Sequence, residues 1–218
     1  DVCSSDLEQR LYKENTMMKN KFWIFLMSTL LLSEAAMAEA VVKKLPAPVV
    51  AGGKPLMETI GERKTIREFK AQNVDDQTLS EILWVAFGIS HDGKRTIPTA
   101  MNQQNLKVYV VRNDGAWLYD AAENSLTQVT AENLQPLFAT QDFMKDVPVN
   151  LVYVGSDEKY SPMHAGSAYQ NVGLYAASKG MHSVVRGYFD NDRVTKALNL
   201  ENGERAIVSQ RSEEHTSE

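Results

Sequence analysis

The chain of 218 residues contains a single cysteine, Cys3, and four histidines spread without metal-ligand spacing. Disulfides within the chain and cysteine-based metal sites are therefore excluded, and so is thiolate catalysis once the origin of Cys3 is considered below. No apolar run approaches the roughly 20 residues that a membrane-spanning helix needs. The longest, Phe22–Leu32, has 11. The formal charge is −5 and no basic stripe is present, which argues against nucleic acid as a partner. Fixed-period repeats, low-complexity tracts and any recognisable nucleophile–base–acid triad are absent as well.

The ends carry information of a different kind. Residues 211–218, Arg-Ser-Glu-Glu-His-Thr-Ser-Glu, back-translate as AGA TCG GAA GAG CAC ACG TCT GAA, a sequencing-adapter sequence. Residues 1–6, Asp-Val-Cys-Ser-Ser-Asp, back-translate as its reverse complement, GAC GTG TGC TCT TCC GAT. Both ends are expected to be adapter, Cys3 with them, and residues 55–210 a C-terminally cut domain. Lys13-Glu14 can be encoded AAG GAG, a ribosome-binding sequence ahead of Met17, so residues 7–16 read as untranslated leader. Residues 17–38 combine Lys19 and Lys21, the apolar run and Ala36-Met37-Ala38, the layout of a secretory signal peptide. The alternative is an N-terminal anchor; a lipoprotein anchor is excluded because no cysteine follows the run. The expected mature chain starts near Glu39 and is exported, periplasmic or extracellular. Residues 39–210 hold 18 Lys and Arg against 20 Asp and Glu, a net −2 and one domain's worth of chain.

Residues 39–54 read as an extended arm. A short helix follows from Pro55 to Arg63, and a second, capped by Asp76 or Thr78, runs to Phe87 with Leu79, Ile82, Leu83 and Ala86 at helical spacing. Leu106–Arg112 and Ala116–Tyr119 flank the hairpin turn Asn113-Asp114-Gly115, and Leu126–Val129 extends the meander. Ala131–Ala139 reads as helix. Val149–Gly155 is nearly all apolar, as a strand buried on both faces would be. Ser161–Lys179 is the longest helix, with Pro162 at its start and Gly180 as its stop. Ser183–Val185, a helix capped by Asp190, and a strand from Ala206 complete an α+β pattern.

Three segments carry candidate chemistry. In Arg63-Lys64-Thr65-Ile66-Arg67 alternate side chains of an extended chain share a side. Arg63, Thr65 and Arg67 can thus converge on one anion, two guanidinium forks and a hydroxyl suiting a phosphate. Taken alone, the pentapeptide reads more readily as a solvated basic turn. Pro98-Thr99-Ala100-Met101-Asn102-Gln103-Gln104 presents amides able to meet a heterocycle edge, or is an ordinary loop. Val184-Val185-Arg186-Gly187 ends a strand in glycine, where a flat ligand can approach the backbone, or simply ends a strand. His91 reads as a turn residue and His182 as structural. Tyr188 and Phe189 are open between pocket wall and core.

In this order the three segments resemble the FMN-dependent nitroreductases. Arg63-x-Thr65-x-Arg67 is similar to their Arg-x-Ser-x-Arg motif, and Pro98-Thr99-Ala100-x-Asn102-x-Gln104 to their Pro-Ser-Ala-x-Asn-x-Gln loop. Gly180 with Val184–Gly187 resembles the glycine segment beneath the isoalloxazine, with His182 in place of a family glycine, and Trp84–Gly88 resembles the helix after the first motif. The likeness spans about Pro55 to Gln210. Tyr169-Gln170-Asn171 and Val185-Arg186-Gly187 place it near the branch containing the thiazole/oxazole-forming dehydrogenases.

The resemblance implies a central, mostly antiparallel sheet flanked by helices, and a homodimer with two FMN sites at its interface. Arg63, Lys64, Thr65 and Arg67 would hold phosphate and ribityl chain from one subunit; Pro98, Thr99 and Asn102 would reach that flavin from the other. Val185, Arg186 and Gly187 would lie near its reactive edge, a backbone N–H there facing N5. Thr65 and Thr99 stand where the family has serine: the hydroxyl survives and the added methyl restricts its rotamers. A late Lys or Arg that completes the phosphate site in many members is missing. The implied activity is oxidoreduction through flavin N5, with a small molecule as acceptor and NAD(P)H as the usual reductant. A signal peptide would make that reductant scarce. A flavin-storage protein, a peptide or small-molecule dehydrogenase of the thiazole/oxazole-forming type, and a domain that has lost flavin are the other readings.

Overall fold

A computed structural model describes Met17 and residues 40–68, 73–145 and 147–213. The adapter at 1–6, the leader at 7–16, residues 18–38 of the signal peptide and residues 214–218 lie outside the described residues.

The fold grows from a hairpin. Strands β2 (Lys107–Arg112) and β3 (Gly115–Asp120) pair across Asn113-Asp114, and β4 (Ser125–Thr130) continues the meander. Gly115 takes φ +128°, and a Cβ there would stand 2.2 Å from the Thr130 carbonyl oxygen, so the turn requires glycine. Strand β1 (Val42–Lys44) lies outside β4, while β5 (Asn150–Gly155), β7 (Arg205–Glu213) and β6 (His182–Arg186) extend the sheet beyond β2. The order is β1-β4-β3-β2-β5-β7-β6 and every pairing is antiparallel.

Side-chain alternation divides the core in two. Val108, Val110, Trp117, Leu151 and Tyr153 face α2 (Asp76–Phe87) and α3 (Ser161–Lys179). Tyr109, Val111, Val152 and Val154 face α4 (Asn191–Ala197) and the segment carrying Leu134, Phe138, Met144 and Val147. All six residues of β5 are buried, the apolar run Leu151–Val154 lying between two layers with Asn150 at its start.

The helix ends follow local chemistry. The cap of α2 is Asp75, rather than the expected Asp76 or Thr78, its carboxylate accepting from Thr78 N at 2.6 Å. Asp190 accepts from Arg193 N at the start of α4. Helix α3 closes at Gly180, φ +70°, with Met181 N donating to Ala176 O at 2.7 Å. Helix α1 (Leu56–Glu62) begins after Pro55.

Three segments differ from expectation. Residues 131–139 contain only a short 3-10 turn, Gln135–Leu137. There the Thr130 hydroxyl accepts from Glu132 N and the Asn133 amide oxygen from Gln135 N, so side chains take the backbone donors a helix would use. The arm is extended at Val42–Lys44 and there pairs with β4 as a strand that the sequence does not announce, with Lys43 meeting Asp76 at 2.6 Å. Strand β7 continues to Glu213, past residue 210, against His182–Val184, and Arg211 and Glu213 form a buried ion pair at 2.8 Å.

Candidate functional site

The three segments are arranged around α3 and the outer strand β6. Arg63 caps the C-terminal end of α1, and the chain leaves it extended. Ile66 N donates to Ser183 O at 3.2 Å and the His182 ring meets Glu68 O at 2.6 Å, so residues 66–68 run beside the start of β6. The stem of Arg63 crosses α3 at Gly173, about where a Cβ would lie 3.6 Å away. Lys64, Thr65 and Arg67 are exposed. Among the described residues, neither Arg63, Lys64 nor Arg67 has an acidic partner, whereas the neighbouring Lys54 is tied to Glu62 at 2.5 Å. Lys64 and Ile66 of this segment, with Lys54, Glu62, Gly180 and His182, line a cleft of about 450 Å³, whose walls do not include Arg63, Thr65 or Arg67.

The second segment is a tight turn. Met101, Asn102 and Gln104 all take left-handed φ, +51°, +54° and +49°, an unusual run for residues with a Cβ. Two anchors hold it. Ala100 N donates to Nε2 of His164, a residue of α3 only 3% exposed, at 2.8 Å. Gln104 Nε2 donates to Asn102 Oδ1 at 3.0 Å, and Arg95 Nε donates to Gln104 Oε1 at 3.1 Å. Arg95 in turn lies over the Phe87 ring, 4.5 Å from its centroid, and donates to the Phe87 carbonyl. Pro98 and Asn102 are exposed and Thr99 is half-buried.

The third segment splits by residue. Val185 is half-buried and Gly187 exposed, with open space where its Cβ would be. Arg186 is 7% exposed. Its guanidinium donates to Phe138 O, Thr140 Oγ1 and Tyr188 O and lies 6.0 Å from the Phe143 centroid. Burial lowers its pKa. It braces the 138–143 segment against the turn that follows Gly187. Tyr188 is 71% exposed, while Phe189 packs on Phe138, ring centroids 5.4 Å apart.

The first and third segments thus share β6. The second does not join them in one chain: its anchor His164 stands nine residues before Gly173, about 14 Å along the axis of α3. A larger cleft, about 530 Å³, opens between α1, α2 and α3, with Leu56, Thr59, Trp84, Leu174 and Tyr175 in its walls. Leu56, Met57 and Ile60 of α1 stand exposed beside it. Sequence reading missed the parts played by Arg95 and His164. Each is set by a contact with a residue remote in fold or chain, and neither belongs to a motif.

Comparison with known proteins bears on the same residues. The sequence profile of the family described as Nitroreductase family matches residues 60–210. A curated protein of Methanocaldococcus jannaschii, provisionally named a nitroreductase, is 26% identical over 167 residues, 66% of this chain and 84% of its own length. A crystal structure from Ralstonia eutropha JMP134, also provisionally named a nitroreductase, is 33% identical at a TM-score of 0.75, covering 81% of this chain and 90% of that one. The Escherichia coli microcin synthetase complex McbBCD, solved with truncated pro-MccB17 bound, contains a chain of the same fold, 18% identical at a TM-score of 0.59, covering 80% and 79%.

Proposed function

The chain belongs to the nitroreductase family, with that family's oxidoreductase fold, and from this premise we propose that it binds FMN at β6 and works as a flavin-dependent oxidoreductase. The observation that carries the reading is the segment 63–67: three cations with no acidic partner among the described residues and a threonine hydroxyl, the Arg63 stem crossing a glycine of α3 and Lys64 bordering an open cleft. A phosphate monoester, with three acceptor oxygens and about two negative charges, fits that donor set. Arg63 and Arg67 supply planar forks, and Lys64 and Thr65 supply single donors. At the other end of β6, Gly187 leaves a flat ring room to approach the backbone, backed by Val185 and by the Arg186 brace.

When bound, FMN would supply, at its N5, the two-electron chemistry between a donor such as NAD(P)H and a small acceptor. The chain's own task is to bind, orient and shield. Nothing in it has to act as nucleophile or as an acid–base pair.

As the family resemblance implies, the Pro98–Asn102 turn would serve the flavin of a partner subunit; its anchor His164 lies about 14 Å along α3 from Gly173. The exposed Leu56, Met57 and Ile60 of α1 are the apolar surface we propose for the homodimer contact. Export belongs to the same proposal. It predicts a mature N-terminus near Glu39, which N-terminal sequencing of the secreted protein checks, and it leaves the physiological donor open between NAD(P)H and another reductant.

The test is retention of FMN. Arg63→Ala/Arg67→Ala removes at least two charge-assisted bonds of about 1.5–3 kcal/mol each, so affinity should fall more than about a hundredfold. Unchanged flavin content after gel filtration sinks the phosphate assignment. Anaerobic addition of NADH or NADPH addresses turnover. Bleaching of bound flavin supports the enzyme; its absence with every reductant tried favours a flavin-binding protein without turnover.

A further inference from the structure

The amide of Asn102 has two faces, and which one it shows a ligand is decided two residues away. Arginine can only donate. Arg95 is fixed by the Phe87 ring and the Phe87 carbonyl, and its Nε donates to Gln104 at 3.1 Å. The Gln104 atom it meets must therefore be the amide oxygen. Gln104 is then left with its NH₂ toward Asn102, 3.0 Å away, so the Asn102 atom there must be the carbonyl oxygen. By elimination the exposed end of Asn102 is Nδ2, a donor. The backbone around it is pinned by the Ala100–His164 bond at 2.8 Å, which steadies the left-handed Met101 and Asn102.

We propose that Arg95 and Gln104 are positioning residues that polarise the Asn102 amide, so that the turn presents a hydrogen-bond donor to an acceptor atom, a ring carbonyl, of the bound flavin. This rests on the flavin reading above. Without the relay the amide would present donor or acceptor with similar ease, and half of its states would set oxygen against oxygen. The relay thus selects a ligand edge carrying C=O over one carrying N–H.

The experiment uses the whole chain with FMN as probe. Gln104→Glu keeps an acceptor for Arg95, now charge-assisted, but removes the NH₂ that fixes Asn102. Asn102→Asp removes the outward donor itself, and Arg95→Lys keeps charge while losing the fork. Gln104→Glu and Arg95→Lys should weaken FMN binding by roughly 3- to 10-fold, the worth of one ordinary hydrogen bond, at a melting temperature close to wild type. Isotope-edited infrared spectra of bound FMN should show a ring carbonyl stretch shifted up in Gln104→Glu and Asn102→Asp, as when a donor is lost. A merely structural role would lower the melting temperature and leave that frequency alone. Wild-type affinity and frequency in Gln104→Glu overturn the relay while leaving the flavin reading intact. Failure of the wild-type chain to take up FMN overturns both.

Discussion

Side-chain partners set how individual residues behave here more than motif membership does. Glu81 is an example: burial pushes its carboxyl up, but hydrogen bonds from Tyr175, Gln77 and Lys179, with the Lys179 charge, outweigh that and hold it below its ordinary 4.5. A depressed carboxylate pKa stabilises the fold above the unfolded value and is lost as pH falls through the folded one. The melting temperature of Glu81→Gln should therefore fall less steeply than wild type below about pH 4.5, and parallel curves would show that Glu81 is not responsible. Arg186 makes the same point against the motif. Its place before Gly187 is legible in the sequence, yet its guanidinium is spent on Tyr188 two residues on and on Phe138 and Thr140, nearly fifty residues back, the last two being contacts that no local pattern records. Tyr188 and Phe189, alike in sequence, part company because β6 ends between a solvent side and a packed side.

Elements with strong boundary chemistry were readable, and those defined by distant pairing were not. Helix α3 runs from Ser161 to Lys179 as its Pro162 and Gly180 foretell. The cap of α2 lies one residue earlier than expected because Asp75 and Asp76 are both competent, and only geometry chooses between them. Asp75→Ala should cost about 1 kcal/mol in chemical denaturation, and Asp76→Ala less, although Asp76 also meets Lys43. At the hairpin, Gly115→Ala forces a Cβ into the Thr130 carbonyl at a φ that side chains avoid. A loss of roughly 2–3 kcal/mol is expected, and a neutral result would mean that the β3–β4 pairing relaxes there. Strand β1 was invisible because three residues, Val42–Lys44, have no periodicity to show. The helix expected at 131–139 is reduced to a 3-10 turn because Thr130 and Asn133 take its first backbone donors.

For the whole molecule, the ordered set of three weak motifs identified the family more surely than any one of them, since each segment alone suits an ordinary turn. The fold then accounts for their spacing in sequence: the first and third meet along β6, and the second is carried by the other end of α3. That division motivates the homodimer. Replacing Met57 and Ile60 with aspartate, both exposed on α1 at 79% and 48%, should yield a folded monomer that binds FMN poorly, as read by sedimentation and flavin titration. A dimer that survives both changes would move the interface elsewhere.

The central claim is that segment 63–67 holds the phosphate of FMN. Its most direct test is the absorption spectrum of the chain after incubation with FMN and gel filtration, beside Arg63→Ala/Arg67→Ala treated alike. Bands near about 370 and 450 nm, those of a protein-bound flavin, should elute with the wild-type chain and be lost from the double variant. A colourless wild-type protein, or equal colour in both, would contradict it.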